Sequence, residues 1–139
     1  MTAAHGYSGT PLWKKLGIAP GMTVVALGAP KEYASWVAPL PESARIVSRA
    51  SASARAVHLF VREAAELGKA LADWRRRIDP AGFLWVSWPK KASKVPTDIT
   101  EDTIRALALP LGWVDVKVCA VSEVWSGLKL VVRKGERGR

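Results

Sequence analysis

The sequence predicts a single α/β domain of three layers, with a mostly parallel sheet and an antiparallel closing strand. Three observations carry this. Short apolar runs alternate with helical segments, the order of a parallel sheet covered on both faces. The runs Ala56 to Val61 and Phe83 to Trp88 are apolar almost throughout, as strands buried on both faces are. The last two runs, Trp113 to Val121 and Leu128 to Arg133, are joined by residues 122–127 alone, which suits a hairpin-like connection and not a crossover helix.

The elements follow in order. Pro11 to Leu16 reads as a helical turn, with Pro11 at its first position and Gly17 ending it. Met22 to Leu27 is a β-branched apolar run, hence a buried strand. Lys31 to Ala38 suits a short helix stopped by Pro39 and Pro41. Ala44 to Ser48 is a weak second strand, and Ser51 to Ser53 with their alanines form a linker. Arg62 to Ile78 is the strongest helix, since Leu67, Leu71, Trp74 and Ile78 recur on one face. Asp79-Pro80-Ala81-Gly82 reads as its stop. Pro89 to Pro96 is a basic loop, and Thr100 caps a helix running from Glu101 to Leu111. Residues 1–10 read as an arm, 11–134 as the domain, and 135–139 as a flexible basic tail.

A chain of 139 residues, 49% of them hydrophobic, is long enough to bury a core without cross-links. The one cysteine, Cys119, excludes an intrachain disulfide. No leader-like segment and no membrane-length apolar run occurs, so a cytoplasmic address and no membrane partner are expected. The net charge is +9, of which Arg133, Lys134, Arg137 and Arg139 against Glu136 supply +3. Such a balance attracts polyanions or a small anionic or phosphorylated ligand.

A helical turn leading into an apolar strand, a strand–helix–strand series and a closing antiparallel pair resemble the class I methyltransferase sheet, a Rossmann-like architecture, over residues 11–133. At the level of motifs, Gly6-Tyr7-Ser8-Gly9-Thr10-Pro11-Leu12, Leu84-Trp85-Val86-Ser87-Trp88-Pro89-Lys90-Lys91 and Trp125-Ser126-Gly127-Leu128-Lys129 resemble a bacterial domain-of-unknown-function family of short proteins. That second resemblance implies no activity. The first implies a nucleotide-type cofactor, and two positions argue against it. The turn after the first strand, Leu27-Gly28-Ala29-Pro30-Lys31, has one glycine, and Pro30 removes an N–H that could bind an anion. The second strand ends Ile46-Val47-Ser48-Arg49, with arginine where an acid should receive ribose hydroxyls. No cofactor is expected, neither S-adenosylmethionine nor NAD.

No metal site is visible: His5 and His58 lie far apart, and His58 sits in an apolar strand like a satisfied core residue. Cys119 reads as a small buried hydrophobe. No Gly-x-Ser-x-Gly elbow occurs, so a serine triad is set aside. The candidate chemistry lies in the basic loop after the Phe83 to Trp88 strand. Carboxyl ends of strands are where open α/β sheets bind ligands. Lys90, Lys91 and Ser93 emerge there, and the 122–127 connection should bring Glu123, Trp125, Ser126 and Lys129 beside them. Ammonium groups, hydroxyls, one acid and an aromatic plate would make a small-anion pocket.

Three readings remain. The favoured one is a non-enzymatic binding or regulatory protein with this anion-accepting site. The second is an enzyme of unknown reaction on a degenerate methyltransferase-like scaffold, with Lys90 or Lys91 and Glu123 as its polar machinery. The third is a basic nucleic-acid-associated accessory protein. Trp13, Trp88 and Trp125 near turns, among basic residues, would offer stacking faces to single strands.

Overall fold

The computed structural model describes residues 9–49 and 53–136. Along these residues the chain forms α1 (Leu12–Lys15), β1 (Thr23–Leu27), α2 (Tyr33–Trp36), β2 (Arg45–Val47), β3 (Ala54–Phe60), α3 (Ala64–Arg77), β4 (Ile78–Pro89), α4 (Glu101–Ala108), β5 (Trp113–Ala120) and β6 (Trp125–Val132). The strands make one sheet in the order β2–β1–β3–β4–β6–β5. The first four are mutually parallel, and β6 inserts antiparallel between β4 and β5. The predicted α/β class is the observed one.

Each face of the sheet carries its own core. Leu67, Leu71 and Trp74 of α3 and Ile104 and Ala108 of α4 pack on Val57, Leu59, Leu84 and Leu128. On the opposite face Leu12, Leu16, Tyr33 and Val37 cover Val24, Ala56, Phe60 and Trp85. Two buried indoles tie helices to the sheet: Trp85 Nε1 donates to the Leu16 carbonyl at 2.9 Å, and Trp113 Nε1 to that of Leu71 at 3.2 Å. A buried indole N–H left without an acceptor would cost free energy, so these bonds fix where α1 and α3 sit. Thr100 and Thr103 exchange side-chain and backbone bonds at the start of α4, as its cap position predicts. No helix among the described residues is long and apolar enough to cross a membrane.

The structure departs from the sequence reading in three places. α3 does end just before Asp79–Gly82, but these residues belong to β4, which follows the helix with no intervening turn. Gly82 lies against the Arg55 backbone, where an added Cβ would overlap the carbonyl, so the chain hugs β3 through a register shift between Ala54 and Ala56. The closing strand begins at Trp125 rather than Leu128. Since β4 reaches Pro89, it pairs Pro89 with Trp125 and Trp88 with Ser126, and tertiary pairing overrides the turn-like Ser-Gly composition. Finally, Trp88 and Trp125 are core residues, each 7% exposed, so neither stands out from the surface for a nucleic-acid strand to stack on.

The expected arm lies outside the described residues from Met1 to Ser8, as does the tail from residue 137. Gly135 and Glu136, assigned to the tail, form a short helical turn with Lys134, and Glu136 reaches Arg75 at 3.6 Å.

Gly82→Ala should therefore destabilise the protein by about 1–3 kcal/mol, the range for forced overpacking. Gly135→Ala, with open space around its Cβ, should change little. Urea titrations of both variants check this, and equal midpoints would show that β3 and β4 can move apart freely.

Candidate functional site

β1 leads to β2 on one side, and the chain then returns to β3 on the other. Connections leaving the carboxyl ends of β1 and β3 therefore diverge. A crevice at such a switch point is where open α/β sheets place ligands. Here it is a cleft of about 350 Å³ between Gly28 and Pro30 after β1 and Val61, Arg62 and Glu63 after β3. Phe60 and Trp125 form its floor, their rings edge to face with centroids 5.0 Å apart. Glu63, at the N-cap position of α3, and Glu66, in its first turn, bring two exposed carboxylates to the rim. A second hollow, of about 280 Å³, shares Gly28, Phe60, Val61 and Glu66 and extends the cleft toward Trp74.

Beneath the floor lies a sealed polar chain. The Tyr33 hydroxyl meets His58 Nδ1 at 2.8 Å, and His58 Nε2 meets Ser87 Oγ at 2.7 Å. All three residues are at most 3% exposed. A neutral ring satisfies both contacts if Tyr33 donates to Nδ1 and Nε2–H donates to Ser87. Burial pushes the His58 pKa down to about 3 and that of Tyr33 above its ordinary value. Phe60 stacks on the imidazole at 4.4 Å and closes it from the cleft. The serine–histidine pair is thus a satisfied core network, as the apolar strand around His58 suggests.

The residues expected to share one anion pocket do not all meet. Lys90 does lie beside the closing strand, its backbone N–H donating to the Val124 carbonyl at 2.7 Å. Trp125 and Ser126 are consecutive in β6, so they face opposite sides of the sheet. Trp125 lines the crevice, while Ser126 pairs with Trp88 on the α3–α4 side. Ser93 Oγ is engaged in its own loop, donating to the Lys90 carbonyl and accepting from Val95 N. Glu123 is exposed in the turn before β6. Lys129 pairs with Trp85, well down the strand, and its ammonium lies 4.7 Å from the centre of the Phe83 ring. Burial and then Lys117 lower its pKa. Lys91 instead joins Lys94 in a separate groove of about 510 Å³ with Trp88, Pro96 and Thr97. This groove and the crevice share a wall, because the Arg62 carbonyl accepts from Thr97 Oγ1 at 2.7 Å and from Asp98 N.

The crevice does not have the build of a nucleoside cradle. Gly28, at φ +71°, is required by the fold itself: a Cβ there would come within 2.8 Å of the Phe60 carbonyl. Pro30 has no N–H, and its carbonyl already accepts from Tyr33 N. The helix that follows has four residues, too short to present an array of free N–H groups. At the end of β2 stand Ser48 and Arg49, with no acid. These residues do not fit S-adenosylmethionine in the manner the architecture implies.

No family model matches the chain, and no curated protein matches it in sequence. Solved structures do. The fibrillarin pre-rRNA processing protein of Methanococcus jannaschii aligns over 84% of this chain and 68% of its own, at 10% identity and a TM-score of 0.61. A SAM-dependent methyltransferase from Aquifex aeolicus aligns over 87% and 88%, at 17% identity and 0.60. LepI in complex with SAM aligns over 94% of this chain but 41% of its own, at 12% identity and 0.54. The fold is methyltransferase-like. The motif resemblance to a short bacterial family gains no support from these matches. The expectation of a non-enzymatic binding or regulatory protein is corrected: the company of a SAM-dependent methyltransferase and SAM-bound LepI fits the enzyme alternative better.

The sealed histidine makes a pH prediction. His58 stays neutral in the folded protein, whereas in the unfolded chain it takes up a proton below about pH 6.5. The unfolded state then binds more protons, so stability falls as pH drops from 6.5 toward 3, by up to about 1.4 kcal/mol per unit from this group. His58→Gln should be less stable at pH 7 and show a shallower decline between pH 6.5 and 4.5. Parallel acid limbs in urea titrations would show that His58 is not the group responsible.

Proposed function

We propose that this chain is an enzyme on a methyltransferase-like scaffold, acting at the crevice between β1 and β3 on a small substrate that carries an anionic group. The observation that supports it is the coincidence at one switch point of an aromatic floor, two carboxylates and a guanidinium. Phe60 and Trp125 would hold an apolar or planar part of the substrate. Glu63 and Glu66 replace the expected Glu123 as the groups able to move a proton, since both stand on the rim of the crevice. Arg62 has no carboxylate partner among the described residues, and Lys91 and Lys94 line the groove beyond the shared wall. Together they would take the anionic end, the part of the predicted lysine site that this reading keeps. Positioning at both ends and proton transfer in between is a sufficient division of labour for acid–base chemistry.

Incubating the purified chain with a bacterial small-molecule extract, and following its components by mass spectrometry, tests this reading. The expected result is conversion of a component at catalytic protein concentration. Glu66→Gln should slow it by about 100-fold or more, the range for losing a general acid or base. An extract unchanged both with and without added S-adenosylmethionine would refute the proposal.

The poor fit of the cradle gives a second expectation. Calorimetric titration with S-adenosylmethionine should yield a dissociation constant weaker than about 100 µM, or roughly 5.5 kcal/mol of binding free energy. Tighter binding would mean that the crevice holds the cofactor by contacts other than the usual ones.

A further inference from the structure

A second groove, about 560 Å³ in volume, runs along β2 and the first residues of β1 and β3, on the same face as α3 and α4. Among the described residues its lining comes from β1, β2, β3 and the turns beside them. Val25, Val47 and Ala54 make an apolar floor. Arg45, Arg49 and Arg55 stand around it, all exposed.

The pairing of arginines across the molecule sets these three apart. Arg75, Arg76, Arg77, Arg105 and Arg133 each reach a carboxylate within 4.0 Å. Among the described residues only Arg45, Arg49, Arg55 and Arg62 do not, and the first three line this one groove. Arg45 is braced by a bond from Nε to Thr23 Oγ1 at 3.2 Å. Three guanidinium groups line one hollow, so an anion held there would be attracted by all three. Guanidinium forks match phosphate oxygens in pairs. A second copy of this chain, itself at +9, would not supply such an anion. Among the described residues the groove offers no aromatic ring on which a single strand of nucleic acid would stack.

We infer that this groove is a second ligand site, built for a phosphorylated small molecule whose phosphate sits among Arg45, Arg49 and Arg55 and whose apolar part lies on Val25, Val47 and Ala54. It shares no lining residue with the crevice and does not depend on the activity proposed there.

Calorimetric titration of the full chain with pyrophosphate and with AMP tests the site. In a Lys91→Ala/Lys94→Ala background, which removes the carboxyl-edge lysines, pyrophosphate affinity should hold within about two-fold. Adding Arg49→Gln/Arg55→Gln should weaken it at least about ten-fold, as expected for lost hydrogen bonds to a charged group. Both arginines are exposed and bond to nothing in the groove, so the fold should survive. If it does not, Arg49→Lys/Arg55→Lys keeps the charge and should still weaken binding through loss of the fork. With inorganic phosphate titrated as the reference, AMP should bind at least as well as phosphate does, because the floor adds apolar contact. Three results would overturn the inference. One is unchanged pyrophosphate affinity in the arginine variants. Another is aggregation of those variants without loss of affinity, which would make the arginines guards of the β2 edge. The last is binding of an oligonucleotide of about twelve residues with none of AMP, which would make the ligand a nucleic acid.

Discussion

β1 sends the chain outward to β2, and β3 then forms on its other side. This reversal is the constraint on which the rest of the molecule depends. At the carboxyl ends it forces two connections apart and opens the crevice over Phe60 and Trp125. Residues 48–53 alone link the carboxyl end of β2 to the amino end of β3, short of the dozen or so residues that a helical crossover takes. The floor of Val25, Val47 and Ala54 is therefore left under arginine side chains. One topological choice thus creates a hollow at each end of β1, and residue chemistry makes the two unlike. The carboxyl-edge crevice has carboxylates above aromatic rings, whereas the groove along β2 has guanidinium groups above aliphatic side chains.

The sealed chain of Tyr33, His58 and Ser87 shows how the centre of the sheet accommodates polar atoms between these hollows. His58 on β3 and Ser87 on β4 share a face, and Tyr33 arrives from α2. The chain holds three elements in register with bonds that would be costly to leave unmade in the core. It also keeps α2 on the sheet, although that helix has only four residues and could not hold its place by its own propensity. Since Phe60 lies flat on the imidazole, the network that orders the floor stays apart from whatever binds above it.

Much of this fold was legible in the residues. The helical recurrence of Leu67, Leu71 and Trp74, the cap at Thr100 and the apolar strands around His58 and Trp85 are local signals, and the structure follows them. The limits of β4 and β6 were not legible, because they are set by partners. Asp79–Gly82 is turn-like until Gly82 meets the Arg55 backbone, and Ser126-Gly127 is turn-like until β4 extends alongside it. That shift of three residues at the start of β6 undid the predicted pocket. Once Trp125 and Ser126 belong to a strand, alternation sends them to opposite faces. The crevice was missed for a related reason. Acids at the start of a helix are ordinary in a sequence, and only the strand order places Glu63 and Glu66 beside the end of β1. The three groove arginines lie in three separate segments, so no local pattern joins them.

Charge distribution reflects the same architecture. Asp73, Glu101, Asp102, Asp115 and Glu136 all lie on or beside α3, α4 and β5, and each holds an arginine there. Arg105 alone meets three carboxylates, and its bond to Asp115 holds that carboxyl below its ordinary range. The helical side is thus rich in ion pairs, and among the described residues unpaired cations stand around β1 to β3, in the loop after β4, and at Lys15, Lys117 and Lys129. A net charge of +9 spread evenly would speak only of solubility. Part of it stands in two hollows with apolar floors, away from the ion pairs of the helical side, which is the arrangement expected of a protein that handles anions at defined places.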